Sequence, residues 1–130
     1  MAMIDQRSFK QRHSYEERFA EANRILTKFP GRIPVIVARA ANARTNIPPL
    51  DKEKYLVPGD LSVSQFIYVI RRRMTLTSEQ ALFLFIGGSL PTTSMLMREL
   101  YAMYKDPDNF LYAEYCSENT FGGLSGTAVF

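Results

Sequence analysis

Between Lys54 and Met74 the chain passes from strand-like to helix-like patterning across one forced turn, and few folds accommodate that switch. Tyr55-Leu56-Val57 is a short β-type run stopped by Pro58-Gly59, a dipeptide that turns the backbone. Ser62 then stands at an N-cap position. After it, Val63, Phe66, Ile67, Ile70 and Met74 recur at offsets of 3, 4, 7 and 11. That spacing puts five apolar side chains on one helical face and leaves Gln65, Tyr68 and Arg72 away from it. Arg71, Arg72 and Arg73 bring cations to the helix C-terminus, where the macrodipole favours them. A strand, a corner and an amphipathic helix in this order must pack on a sheet.

Lys54, Tyr55, Leu56 and Val57 point to alternate sides, because strand side chains have period two. A short strand with mixed neighbours suits a sheet edge, and sheet edges accept extended peptides from partners. An ordinary half-buried edge strand satisfies the same pattern.

With 130 residues the chain fits a single domain with a real core. Nine Phe and seven Tyr against 22% charged residues indicate a globular chain rather than a disordered one. The longest apolar run, Ala81–Ile86, is far too short to span a bilayer, and the first eight residues hold no apolar signal core. The single cysteine, Cys116, has no partner for an internal disulfide, so a cytoplasmic setting is expected. Charge is unevenly laid out: residues 1–32 balance at +3, residues 33–74 at +4 and residues 75–130 at −4. The basic first half favours acidic partners, although a solvated surface of uneven charge reads the same way.

In chain order, residues 1–8 read as loose, and Phe9-Lys10-Gln11-Arg12 as a short extra helical turn. Ser14-Tyr15-Glu16-Glu17 is a capping box. Tyr15, Phe19, Ala22, Leu26 and Phe29 form the apolar face of the helix it opens, and Pro30-Gly31 ends that helix. Arg32–Ala40 is a strand in which Pro34 must sit where no ladder N–H is needed. After a loop over residues 41–49 come the Tyr55–Val57 strand and the Ser62–Met74 helix. Ala81–Ile86 is a buried strand closed by Gly87-Gly88. Thr93 or Ser94 caps a helix carrying Met97, Leu100, Tyr101 and Tyr104, and Phe110–Cys116 is the last strand. Helices on one side of a mixed sheet, with a crossover that lets a later strand join in parallel, make an α+β fold of the β-grasp pattern.

Catalytic chemistry has little to work with. There is no phosphate-cradling glycine loop, no paired cysteine and no His-x-x-x-His, and His13 is the sole histidine. Cys116 and the methionines Met95, Met97 and Met103 read as packing residues rather than a nucleophile or a metal box. No catalytic residue, metal site or cofactor is expected. Arg71–Arg73 with Tyr68 could hold nucleic acid, but helix-end charge already accounts for the arginines.

Six segments in order carry a likeness: Phe9–Arg12, Phe29–Val37, Leu50-Asp51-Lys52 through Val57-Pro58, Ile70–Arg73, Phe110-Leu111-Tyr112 and Glu118–Gly122. Together they resemble the ubiquitin-like autophagy modifiers, the family of light chain 3 and GABARAP, from about Ser8 to Gly122. The Phe-Lys-Gln-Arg start and the Phe-Gly end look closer to the light-chain-3 branch.

The resemblance implies a ubiquitin-like β-grasp with two additional N-terminal helices. Residues 1–30 would form the helical extension, 31–116 the core, 117–122 a flexible conjugation tail and 123–130 a removable propeptide. It implies a modifier that is itself no enzyme. A cysteine protease would cut it after Gly122, with Phe121 preceding the cut. E1-like and E2-like enzymes would then join Gly122 to the amine of phosphatidylethanolamine. The precursor would be cytoplasmic, and the lipidated form would sit on autophagosomal membranes, recruiting cargo receptors and adaptors that carry aromatic-x-x-aliphatic peptides.

By the same resemblance the aromatic pocket falls on Glu21, Ile25, Pro34, Ile36, Lys54, Leu56 and Phe110. The aliphatic pocket falls on Tyr55, Val57, Pro58, Leu61, Phe66, Val69 and Arg73, and basic contacts fall on Arg12, His13, Lys52 and Lys54. His13 stands where light chain 3 usually carries a second arginine, Gly87-Gly88 makes the turn glycine-rich, and Gly122 is followed by another glycine. Two other readings stay open: a peptide-binding β-grasp module that is never conjugated, and a basic domain that binds RNA or the cytoskeleton, microtubules included.

Overall fold

The computed structural model describes residues 7–40 and 47–117. Two helices come first, α1 (Phe9–Arg12) and α2 (Tyr15–Lys28), followed by β1 (Arg32–Arg39) and β2 (Lys54–Pro58). Then come α3 (Val63–Met74), β3 (Phe83–Ile86), α4 (Met97–Tyr104) and β4 (Leu111–Cys116). The four strands lie in the order β2-β1-β4-β3. β1 is antiparallel to β2 and parallel to β4, while β3 is antiparallel to β4, the mixed sheet of the expected α+β fold.

Local chemistry fixes the helix starts. Ser8, Ser14 and Ser62 each accept a hydrogen bond from the amide three residues on, and the side-chain oxygens of Gln11, Glu17 and Gln65 accept one from the cap amide in return. Ser8 is therefore an ordered cap, not part of a loose end. α4 differs from expectation. Its cap is Leu96, not Thr93 or Ser94, and its first amides need no hydroxyl. The Glu99 carboxylate accepts from the Leu96 amide at 2.8 Å. Met97 and Arg98 donate to the carbonyls of Leu61 and Gly59 at 2.8 and 2.9 Å, so the turn after β2 satisfies the helix start.

Helices cover both faces of the sheet, not one. On one face Ile33, Val35, Val37, Tyr55, Val57, Leu84 and Leu111 meet Val63, Phe66, Ile70 and Met74 of α3 and Met97 and Leu100 of α4. On the other, Ile36 and Phe110 meet Phe9 of α1 and Ala22 and Ile25 of α2. Period-two alternation along β1 supplies both cores from one strand. The buried stripe of α2 is also narrower than its spacing predicts. Ala22 and Ile25 go inside, whereas Tyr15, Phe19 and Phe29 are exposed. A small side chain at Ala22 brings the helix close to the sheet, and Tyr15 and Phe19 stack on each other at 5.7 Å outside it.

β3 begins at Phe83, two residues later than the apolar run, and ends in a turn in which Gly87 and Gly88 both have positive φ, at 65° and 81°. Ile86 and Ser89 exchange both backbone hydrogen bonds across it, at 2.9 and 3.3 Å. Two consecutive positive φ values define a tight hairpin turn that only residues such as glycine fill without strain. The Tyr104 ring closes over Gly87, where any Cβ would lie 2.5 Å from it.

Candidate functional site

β2 is an edge strand, and its register decides what it offers. Gly59 donates to Gly31 at 2.9 Å and Val37 donates to Glu53 at 2.8 Å, which fixes the phase of the ladder at both ends. The pairs Ile33–Val57 and Val35–Tyr55 are thus the hydrogen-bonded ones, and Pro34–Leu56 and Ile36–Lys54 are not. Pro34, which has no N–H, stands where β2 asks for none. The backbone amides and carbonyls of Lys54 and Leu56 point out of the sheet. The Arg32 guanidinium donates to the Leu56 carbonyl at 3.3 Å.

Side chains on the two faces of β2 lead to two different places. Leu56 is half-buried against the cluster of Phe9, Ala22, Ile25, Ile36 and Phe110. Beside it Lys54 Nζ lies 2.7 Å from Glu21 Oε2, and Arg24 pairs with the same carboxylate at 3.0 Å. Hydrogen bonds from Arg24 and then Lys54 hold the Glu21 carboxyl below its ordinary value. A cavity of about 250 Å³ opens here between Phe9, His13, Glu17, Arg18, Glu21 and Lys54. The residues assigned by resemblance to an aromatic pocket therefore lie together, with Pro34 buried at the position opposite Leu56.

On the α3 side Tyr55, Val57 and Phe66 are buried in the main core, with the Tyr55 and Phe66 rings edge to face at 5.8 Å. Of the set assigned to an aliphatic pocket, Pro58 and Leu61 are half-buried, and Val69 and Arg73 are exposed. Arg73 holds Asp51 through Nε and Nη2 at 3.1–3.2 Å. Tyr55 Oη is buried without a hydrogen-bond partner among the described residues, and burial pushes its phenol up from the ordinary value.

The basic set is only partly free. Arg12 pairs with Glu53 at 2.5 Å, and Lys52 Nζ lies 5.1 Å over the Tyr55 ring. His13 packs 4.7 Å from the Phe9 ring, with Nδ1 4.0 Å from Glu17. Arg71 does not cap its own helix end but donates to the carbonyls of Gln80 and Thr77, at 2.8 and 3.0 Å. Phe121 and Gly122 lie outside the described residues. Among the described residues no group of three His, Cys, Asp or Glu side chains is placed to hold a metal ion, and no helix is long and apolar enough to cross a membrane.

One cluster escaped the sequence reading altogether. Asp108 is fully buried, and its carboxylate accepts from Arg18 at 2.6 Å, Tyr112 at 2.5 Å and the Phe110 amide at 2.8 Å. Burial, followed by the hydrogen bond to Asp108, pushes the Tyr112 phenol far up. Lys10 pairs with Asp106 at 2.6 Å, the Tyr15 hydroxyl donates to Pro107, and Asn23 bonds Asn109. Burial opposes ionisation of Asp106, but the Lys10 contact and the Asp108 amide outweigh it and lower its value. Residues 106–109 thus clamp both N-terminal helices to the sheet, which holds Glu21 and Ile25 beside β2. The only sequence signal was the run Asp106-Pro107-Asp108-Asn109, which reads as a plain turn.

A family model described as "Autophagy protein Atg8 ubiquitin like" matches residues 17–122. The chain is 55% identical over 117 residues to Autophagy-related protein 8 of Mycosarcoma maydis, covering 90% of this chain and 98% of that protein. It is 54% identical over 117 residues to Autophagy-related protein 8B of Oryza sativa subsp. indica, covering 90% and 97%. The crystal structure of Trypanosoma brucei ATG8 superposes with a TM-score of 0.80 at 38% identity, covering 91% of this chain and all of that one.

Proposed function

The chain belongs to the Atg8 family of ubiquitin-like autophagy proteins, and on that premise we propose that it is cut after Gly122, conjugated there to phosphatidylethanolamine, and docks aromatic-x-x-aliphatic peptides on the β2 edge. Members of this family are modifiers in autophagy and not enzymes. The observation that carries the docking reading is the outward-facing backbone of Leu56 between two separate side-chain environments. An extended peptide adds its own amides to that edge. Its aromatic residue goes toward Leu56, Ile25 and Glu21, and its aliphatic residue toward Pro58, Leu61 and Val69, with Tyr55, Val57 and Phe66 as the floor. Arg12, His13 and Lys52 face acidic residues of the peptide.

For the tail, the family match ends at residue 122, which supports Gly122 over Gly123 as the reactive residue. A glycine there lets an extended chain enter a narrow protease or E1-like cleft where a Cβ would crowd it. Its carboxylate must be terminal before it can form an acyl-adenylate and a thioester, so residues 123–130 have to be removed first. The partners are then a cysteine protease, E1-like and E2-like enzymes, and receptors and adaptors with short linear motifs. The lipidated form sits on autophagosomal membranes. The Phe9–Arg12 start favours the light-chain-3 branch. An RNA- or microtubule-binding role finds less support, since Arg71 is held by two carbonyls and Arg72 lies against the Tyr68 hydroxyl.

Intact mass of the protein recovered from starved cells tests the tail. Wild type loses the eight residues after Gly122 and gains a phospholipid, and Gly122→Ala does neither efficiently. A full-length, lipid-free wild type would leave only an unconjugated peptide-binding module.

A further inference from the structure

Where β1 begins and β2 ends, a cavity of about 450 Å³ opens, lined by Leu26, Arg32, Gly59, Asp60, Arg98 and Tyr101 among others. Its charge is predominantly cationic, two guanidiniums against one carboxylate. Arg98 is exposed in the first turn of α4, and its guanidinium has no hydrogen bond or ion pair among the described residues. Its Cβ stands directly against the end of β2: a Cβ built on Gly59 would lie 3.2 Å from it. Arg32 reaches the same cavity while donating to the outward Leu56 carbonyl.

That carbonyl is the acceptor an added strand requires. A peptide amide that takes it displaces the Arg32 guanidinium, which then becomes available beside Arg98. Direction follows from the two environments along β2. With an aromatic anchor level with Lys54–Leu56 and an aliphatic anchor level with Pro58–Leu61, the peptide runs parallel to β2. Three residues of extended chain cover roughly 10 Å, so the residues after the aliphatic anchor pass Gly59 and reach the cavity.

We propose that Arg98, together with Arg32 released from Leu56, forms an anion subsite that selects peptides with carboxylates immediately after the aliphatic anchor; this rests on the docking reading above. Asp60 in the same lining offsets part of that positive charge, so the gain from an acidic flank stays modest.

The test uses full-length protein and two synthetic peptides sharing one aromatic-x-x-aliphatic core. One is followed by two glutamates, the other by two glutamines, and both are titrated calorimetrically at low and high salt. The wild type is expected to favour the glutamate peptide by about three- to fivefold, an advantage of the size exposed ion pairs give, which shrinks as salt screens it. Arg98→Ala brings the ratio of the two affinities to near one. Arg98→Glu, a change at an exposed position, reverses it and favours the glutamine peptide. An unchanged ratio in Arg98→Ala overturns the subsite while leaving edge docking in place. No binding of either peptide to the wild type removes the docking reading and the subsite with it.

Discussion

Pro34 stands opposite Leu56 at a non-hydrogen-bonded position of the β1–β2 ladder, so the sheet loses no bond to the missing N–H and Leu56 keeps its amide for the outside. Amide hydrogen exchange reads this directly. Lys54 and Leu56 should exchange fast, while Tyr55 and Val57, paired to β1, exchange slowly. Adding an aromatic-x-x-aliphatic peptide should slow Leu56 and leave Val57 unchanged. Fast exchange at Leu56 in the saturated complex would rule out strand addition.

Leu56 and Phe66 should respond differently to truncation. Leu56 is half-buried on the α2 side, and Leu56→Ala should weaken peptide affinity by about tenfold, or ~1.4 kcal/mol, with little change in unfolding. Phe66 is 1% exposed in the main core, so Phe66→Ala should cost about 3–5 kcal/mol of stability. Urea titration of both variants separates binding from folding.

Asp108 is the anchor of the N-terminal helices. Asp108→Ala leaves the Arg18 guanidinium, whose side chain is 12% exposed, and the Tyr112 hydroxyl without their acceptor. Breaking a buried pair from one side costs about 3–5 kcal/mol. Limited proteolysis should then cut between α1 and α2 faster than within β1. Unaltered cleavage and stability would show that the clamp carries no weight.

Glu114 lies on β4 with its side chain largely exposed, and the partial burial that remains raises its carboxyl above the ordinary value, an effect that solvent keeps small. The folded state then holds the proton more tightly than the unfolded chain. Stability is full below the ordinary carboxylate value of about 4.3 and falls as pH rises through the raised one. Glu114→Gln removes that loss, so the variant should match wild type near pH 4 and exceed it at pH 7. Equal stability at both pH values would show that the site is better hydrated than its burial implies.

Patterning along the chain made much of this legible. The corner at Pro58-Gly59, the alternation of β2 and the apolar face of α3 each follow from spacing, and all are present. Which sheet face a helix covers does not follow from spacing, because β1 buries residues on both sides. So the α2 face read from spacing as Tyr15, Phe19, Ala22, Leu26 and Phe29 is buried only at Ala22, with Ile25 beside it, while Tyr15, Phe19 and Phe29 stay exposed. Ion pairs between distant segments, Arg18 with Asp108 and Arg73 with Asp51, leave no periodic trace at all. Neither does the α4 cap, which is supplied by the carbonyls of Leu61 and Gly59, 36 and 39 residues upstream of the amides they accept from.

The Ile86–Ser89 turn has a bearing on valency. The outward amide and carbonyl of Ile86 are taken by Ser89, so the β3 edge is blunted by its own hairpin and offers far less to a newcomer than β2 does. Among the described residues, β2 is then the edge that leaves the longer outward stretch for a strand-adding ligand. If peptides dock on β2 as proposed, a receptor with two motifs would engage two copies more readily than one. Copies anchored side by side on a surface would supply the millimolar effective concentration that turns single weak contacts into retention. Grip on cargo would then be set by how densely the copies are laid down, and would rise steeply with that density while every individual contact stays the same.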